Sequence, residues 1–143
     1  MKIFLDTCAL FKLYHAEADT EYYENIFLEN AVSEIFLSEL TRLEFSSTLW
    51  RKVRMKEITE SEAEQTVAFL KSDLKKYNIV PIDTAILDNA VKLLAKYGKH
   101  GLRTLDSIQL ATAVHLRKQA GLFVTADKLL LSFFAEEKLK VKI

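Results

Sequence analysis

Short apolar runs alternate with helical patterns along the whole of this 143-residue chain, and that alternation constrains the fold most. Lys2–Leu5, Glu34–Leu37, Ile79–Ile82, Leu122–Thr125 and Leu139–Ile143 read as strands. Between them the pattern predicts helices over Thr7–His15 and Glu21–Glu29, the latter with Asp19 or Thr20 as N-cap. Ser38 is expected to cap a long helix to about Arg54. Thr59-Glu60-Ser61-Glu62 has the capping-box spacing and opens a helix to about Tyr77. Asp83 or Thr84 starts a helix that stops at Gly98, Thr104 caps one that Gly121 terminates, and Lys128–Phe134 forms the last. Strands alternating with helices predict an α/β fold, a central parallel sheet of about five strands flanked by helices. The first and fourth strands are the most continuously apolar, so they are expected at the centre of the sheet and side by side.

Only three Gly and one Pro are present, so long loops and linkers are not expected, and residues 1–143 read as a single domain. Half the residues are hydrophobic, which argues against disorder. Twenty basic residues balance twenty acidic ones, which excludes a strong grip on nucleic acid through net charge but leaves room for a local basic rim. One cysteine, Cys8, excludes an internal disulfide, and with a strand beginning almost at Met1 the chain reads as cytoplasmic. No apolar run approaches the roughly 18 residues of a membrane span.

Four carboxylates stand where such a sheet would gather them. Asp6 ends the first strand and Asp127 follows the fourth by one residue, while Glu44 and Asp106 sit in helical patterns. Ligands of open α/β sheets collect outside the carboxyl ends of the strands. Carboxylates packed there repel unless a cation joins them, and a hard divalent ion such as Mg²⁺ prefers oxygen ligands. A metal held this way commonly works on phosphate. Each residue also has a plainer reading. Asp6 and Asp127 are well placed to cap the helices that follow them, Asp106 complements the dipole of its first turn, and Glu44 is of a type usually solvated on a helix. Its neighbours Leu40, Leu43, Phe45 and Leu49 put it at the edge of a buried face, and Glu39 is a nearby decoy.

The segments Ile3-Phe4-Leu5-Asp6-Thr7-Cys8-Ala9-Leu10, Ser38-Glu39-Leu40-Thr41-Arg42-Leu43-Glu44, Leu105-Asp106-Ser107-Ile108-Gln109-Leu110-Ala111-Thr112-Ala113 and Phe123-Val124-Thr125-Ala126-Asp127 occur in that order. Together they resemble the PIN-domain nucleases, most closely the toxin branch known as virulence-associated protein C. The resemblance covers the whole chain. It implies an acidic site of Asp6, Glu44, Asp106 and Asp127, with Asp6, Asp106 and Asp127 as ligands of Mg²⁺ or Mn²⁺. Glu44 would bind the ion directly or orient a water. Thr125, two residues before the last Asp, would hold a carboxylate or the scissile phosphate. Cys8 departs from the Ser or Asn of many members, which puts a hydrogen bond to Asp6 in question. The implied activity is metal-dependent endonucleolytic cleavage of RNA by the toxin of a type II toxin–antitoxin pair. The alternative is a non-toxin PIN nuclease of RNA processing.

The loop leading into Asp106 carries Lys99 and Arg103, the candidates for contact with the RNA backbone. The basic run Arg51-Lys52-Val53-Arg54-Met55-Lys56 reads as a solvated helix end. Tyr22, Tyr23 and Phe27 are expected to face Trp50 across an apolar groove, where the resemblance places the helix of a cognate antitoxin. The resemblance also implies a homodimer. Two other classes share the alternating architecture. A haloacid-dehalogenase type of phosphatase needs an Asp at the position of Cys8, and a receiver-like module needs an Asp closing the second strand, where none stands.

Overall fold

The computed structural model describes residues 1–142. Among them are four strands, β1 (Lys2–Leu5), β2 (Glu34–Ser38), β3 (Asn78–Val80) and β4 (Leu122–Val124). Seven helices accompany them: α1 (Thr7–Phe11), α2 (Thr20–Glu29), α3 (Leu40–Arg54), α4 (Glu60–Asp73), α5 (Thr84–Tyr97), α6 (Thr104–His115) and α7 (Lys128–Glu136). Every strand pair is parallel and the order is β3-β2-β1-β4. The chain therefore builds outward from β1 to β3 on one side and places β4 on the other. This reversal makes the carboxyl ends of β1 and β4 the switch point of the sheet, where a crevice opens.

Side chains alternate across a strand, and β1 distributes them to two cores. Phe4 packs with Phe123 beneath α5, α6 and α7, in company with Leu93, Leu110 and Phe134. Ile3 and Leu5 turn the other way, toward Phe11, Phe45 and Leu49 on the face of α1 to α4. Phe4 is fully buried, with its ring centroid 6.2 Å from those of both Phe123 and Phe134. Truncating it to alanine would cost about 3–5 kcal/mol.

Five expectations need correction. Ser38 ends β2 and Glu39, not Ser38, holds the cap position of α3, although Ser38 Oγ accepts Leu40 N–H at 3.1 Å. The strand expected over Leu139–Ile143 does not form among the described residues, and Ile143 lies outside them. The segment meets β4 through Phe123 N–H donating to Lys140 O at 2.9 Å. Its apolar residues Leu139 and Val141 instead pack on the α5–α7 core. β4 is consequently an edge strand rather than a central one; its continuous apolar run reports helices on both faces, not a place in mid-sheet. Thr104 is the first residue of α6 and not its cap: Arg103 holds that position without a side-chain bond. The first helix ends at Phe11, and Lys12 to Tyr14 form a turn. The expected capping box at Thr59 and Glu62 is present, as is the Asp83 cap on Ile86 N–H.

Candidate active site

Asp6 leaves the end of β1 in extended conformation and caps α1, its carboxylate accepting Ala9 N–H at 2.9 Å. The thiol of Cys8 donates to the same carboxylate at 3.0–3.2 Å, and the Thr125 hydroxyl donates to Oδ2. Thr125 Oγ1 in turn accepts Asp127 N–H at 3.0 Å, so the end of β4 is tied to the end of β1. Asp6 is 3 % exposed. Burial raises its carboxyl from 3.8 to about 6; the hydrogen bonds from Thr125, Cys8 and Ala9 oppose this, and the charge of Glu44 adds to it. The bond from Cys8 answers the question raised by its departure from Ser or Asn: sulfur supplies the donor. Burial, then the adjacent Asp6 charge, push the thiol well above its ordinary value, so it stays protonated.

Glu44 projects from α3 and is not free in solvent. Its Oε1 accepts the Thr7 hydroxyl at 2.7 Å and the Gln109 amide at 2.8 Å. The same amide nitrogen lies 3.1 Å from Thr7 Oγ1 and 3.2 Å from Thr41 Oγ1, so α1, α3 and α6 meet in one polar knot. Gln109 is 2 % exposed, and its Oε1 has no partner among the described residues. A carboxylate only accepts, which fixes the NH₂ side of the amide toward Glu44. Thr7, Thr41 and Gln109 had no assigned role in the sequence. Their signal was faint but present: polar residues on helix faces that are otherwise apolar.

Asp106 stands in the first turn of α6, and Asp127 caps α7 through Leu130 N–H at 2.9 Å. Burial raises the carboxyl of Asp106, followed by the charges of Asp127 and then Glu44, while Arg103 pulls it down. Asp6, Glu44, Asp106 and Asp127 all line one open cleft of about 490 Å³. The donor set is oxygen alone, because the nearby thiol is protonated, and this suits a hard divalent cation. Among the described residues no three acidic, His or Cys side chains converge closely enough to cage an ion. The capping and functional readings of Asp6 and Asp127 are compatible: the cap bonds aim each carboxylate at the cleft.

A family model for the PIN domain matches residues 3–133. The chain belongs to the PIN domain family. Solved structures share the fold of this PIN domain at low sequence identity. VapC20 of Mycobacterium tuberculosis, a sarcin–ricin-loop-cleaving toxin, superposes with a TM-score of 0.68 at 15% identity, covering 91% of this chain and 93% of that one. A toxin–antitoxin complex from Klebsiella pneumoniae gives 0.67 at 20% identity, covering 99% and 96%. VapBC2 of Rickettsia felis, bound to a DNA fragment from its promoter, gives 0.65 at 16% identity, covering 99% and 98%. At these identities the likeness shows the fold alone. No curated protein sequence matches significantly.

The residues expected to touch substrate and partner are distributed differently in this PIN domain. Lys99 does not line the cleft, and Arg103 reaches it only through its charge on Asp106. The cations on the cleft wall are Lys12, Arg51 and Lys52, two of them from the run read as a solvated helix end. The expected groove between α2 and α3 is filled: Tyr23, Ile26 and Leu49 belong to one buried core, with Phe27 and Val53 packed against it. Tyr22 and Tyr23 instead line a small cavity of about 120 Å³ with Phe123–Thr125 and Leu131, and Trp50 is not part of it. Trp50 and Tyr22 are partly exposed, at 36 % and 45 %. No helix is long and apolar enough to cross a membrane among the described residues.

Proposed function

We propose that this PIN domain is a metal-dependent endoribonuclease and the toxin of a type II toxin–antitoxin pair. The observation that carries the reading is the convergence of Asp6, Glu44, Asp106 and Asp127, from four separate elements, on one cleft at the switch point of the sheet. Its chemistry is supported by the neighbour that cleaves the sarcin–ricin loop, and its pairing by the neighbour seen as a toxin–antitoxin complex.

Asp6, Asp106 and Asp127 would hold Mg²⁺ or Mn²⁺, directly or through water. The bound cation supplies charge stabilisation for the phosphoryl oxygens and a more acidic attacking water. Thr125 and Cys8 fix the orientation of the Asp6 carboxylate by donating to it. Glu44 commits Oε1 to Thr7 and Gln109, which leaves Oε2 to accept a hydrogen bond from the attacking water and steer it to phosphorus. Asp127 is exposed on the cleft wall, within reach of substrate and solvent.

The antitoxin would cover the partly exposed aromatic residues Tyr22 and Trp50. Self-association as a dimer would bury Leu87 and Val91, exposed one turn apart on α5. The deciding experiment is cleavage of RNA by purified protein with Mg²⁺ or Mn²⁺, in excess chelator, and with Asp6→Asn as the control for contaminating ribonuclease. Cleavage is expected with metal and lost in the other two. Cleavage that survives chelation and Asp6→Asn equally would sink the reading. Growth arrest on expression, relieved by a small antitoxin co-expressed from a neighbouring reading frame, distinguishes a toxin from a processing nuclease, which would arrest nothing and need no such partner.

A further inference from the structure

We infer that Arg51 is the residue through which the cleft grips the RNA strand beyond the scissile phosphate; this rests on the ribonuclease reading above. Three cations line the cleft, and the fold already occupies two of them. Lys12 Nζ lies 3.1 Å from Glu17 Oε2 and 2.9 Å from Asp19 Oδ1. Lys52 Nζ lies 3.0 Å from Glu57 Oε2 and rests over the Phe11 ring at 5.7 Å. Arg51 is exposed and has no acidic partner among the described residues. Its planar fork of donors therefore remains available, and that geometry matches a phosphate.

The position follows from the helix that also carries Glu44. Glu44, Thr48 and Arg51 fall at i, i+4 and i+7 of α3, one face of the helix, and all three line the cleft. At a rise of 1.5 Å per residue, Arg51 stands about 10 Å along the axis from Glu44. Adjacent phosphates along a strand lie closer together than that, so Arg51 meets one beyond the scissile phosphate, a few nucleotides from the bond beside Glu44. The cleft thus has a polarity: carboxylates where the bond breaks, a free guanidinium where the strand runs on. Such a contact sets register without reading bases. Arg54, on the same last turn, is exposed too but does not line the cleft, which makes it the internal control.

The test is steady-state cleavage of a single-stranded RNA in Mn²⁺ by the wild type, Arg51→Gln, Arg51→Lys and Arg54→Gln, between about 50 and 200 mM salt. Arg51→Gln should raise KM about tenfold, the worth of one charge-assisted contact, with kcat within about twofold. The slope of log KM against log salt should fall by about 0.7, one phosphate contact on a single strand. Arg51→Lys should keep the slope, and Arg54→Gln should behave as wild type. Oligonucleotides trimmed to a single nucleotide on both sides of the cut should no longer distinguish Arg51→Gln from wild type. An unchanged KM and slope in Arg51→Gln, or an equal loss in Arg54→Gln, overturns the inference while the ribonuclease reading stands. A wild type that cleaves no RNA in metal overturns both.

Discussion

Asp6→Asn should stabilise the metal-free protein at pH 8 and fail to do so at pH 4. The folded chain holds the Asp6 proton more tightly than the unfolded chain, because its carboxyl is raised from 3.8 to about 6. A raised carboxyl is a cost: the penalty is absent below pH 3.8, grows as pH rises toward 6, and is complete above it. At about 1.36 kcal/mol for each tenfold change in proton affinity, the full penalty is about 3 kcal/mol. Asparagine keeps the acceptor for Ala9 N–H but loses the one that faces the Thr125 hydroxyl, which costs about 1 kcal/mol at any pH. The net expectation is a gain of about 2 kcal/mol at pH 8, or about 6 °C in Tm, and a small loss at pH 4. Urea titrations in excess chelator at the two pH values measure it. Adding Mn²⁺ should reverse the order at pH 8, because only the wild type binds the ion in its native state. An Asp6→Asn protein less stable than wild type by the same amount at both pH values would show that the site stores no charge strain, and the reasoning would fail.

Asp106→Asn should leave the metal-free protein as stable or more so, since burial and the charges of Asp127 and Glu44 disfavour its ionised form; it should also shrink the Mn²⁺-induced rise in Tm, and a large loss of metal-free stability would return Asp106 to a dipole-complementing role. Gln109→Leu should lower kcat about 10- to 100-fold with the fold intact by circular dichroism, because Glu44 loses one of the two donors that orient it; unchanged kcat would remove the orienting role. Cys8 should react slowly with iodoacetamide at pH 8 in the native protein and rapidly in urea, because burial and Asp6 keep the thiol protonated; equal rates would contradict that.

The alternating architecture was legible because helical and strand periodicities differ and Gly and Pro are scarce. So were Asp6 and Asp127, since a carboxylate that ends an apolar strand run sits at the carboxyl edge of a parallel sheet whichever strands pair. Local pattern ran out at strand position. The apolar run of β4 looks central because helices cover both its faces, whereas its edge position reflects that β1 is the one strand it pairs with among the described residues. The run Leu139–Val141 looks like a strand because Leu139 and Val141 are buried by α5 to α7.

The sequence by itself determined the α/β class and the alternation of strand and helix, because each depends on residues near in the chain; that Asp6, Glu44, Asp106 and Asp127 line one cleft depends on the packed sheet. Tertiary structure alone decided that Gln109, 65 residues from Glu44, holds that carboxylate with Thr7, and that Thr125 locks Asp6 across 119 residues. It also decided which cations reach the cleft. Arg51 and Arg54 are alike in type and stand one turn apart near the end of α3, yet only Arg51 lines the cleft, and where along the helix the site ends depends on how the helix docks. Local preferences choose helix or strand, but only the packed sheet sets the distances between side chains that the chain itself keeps far apart.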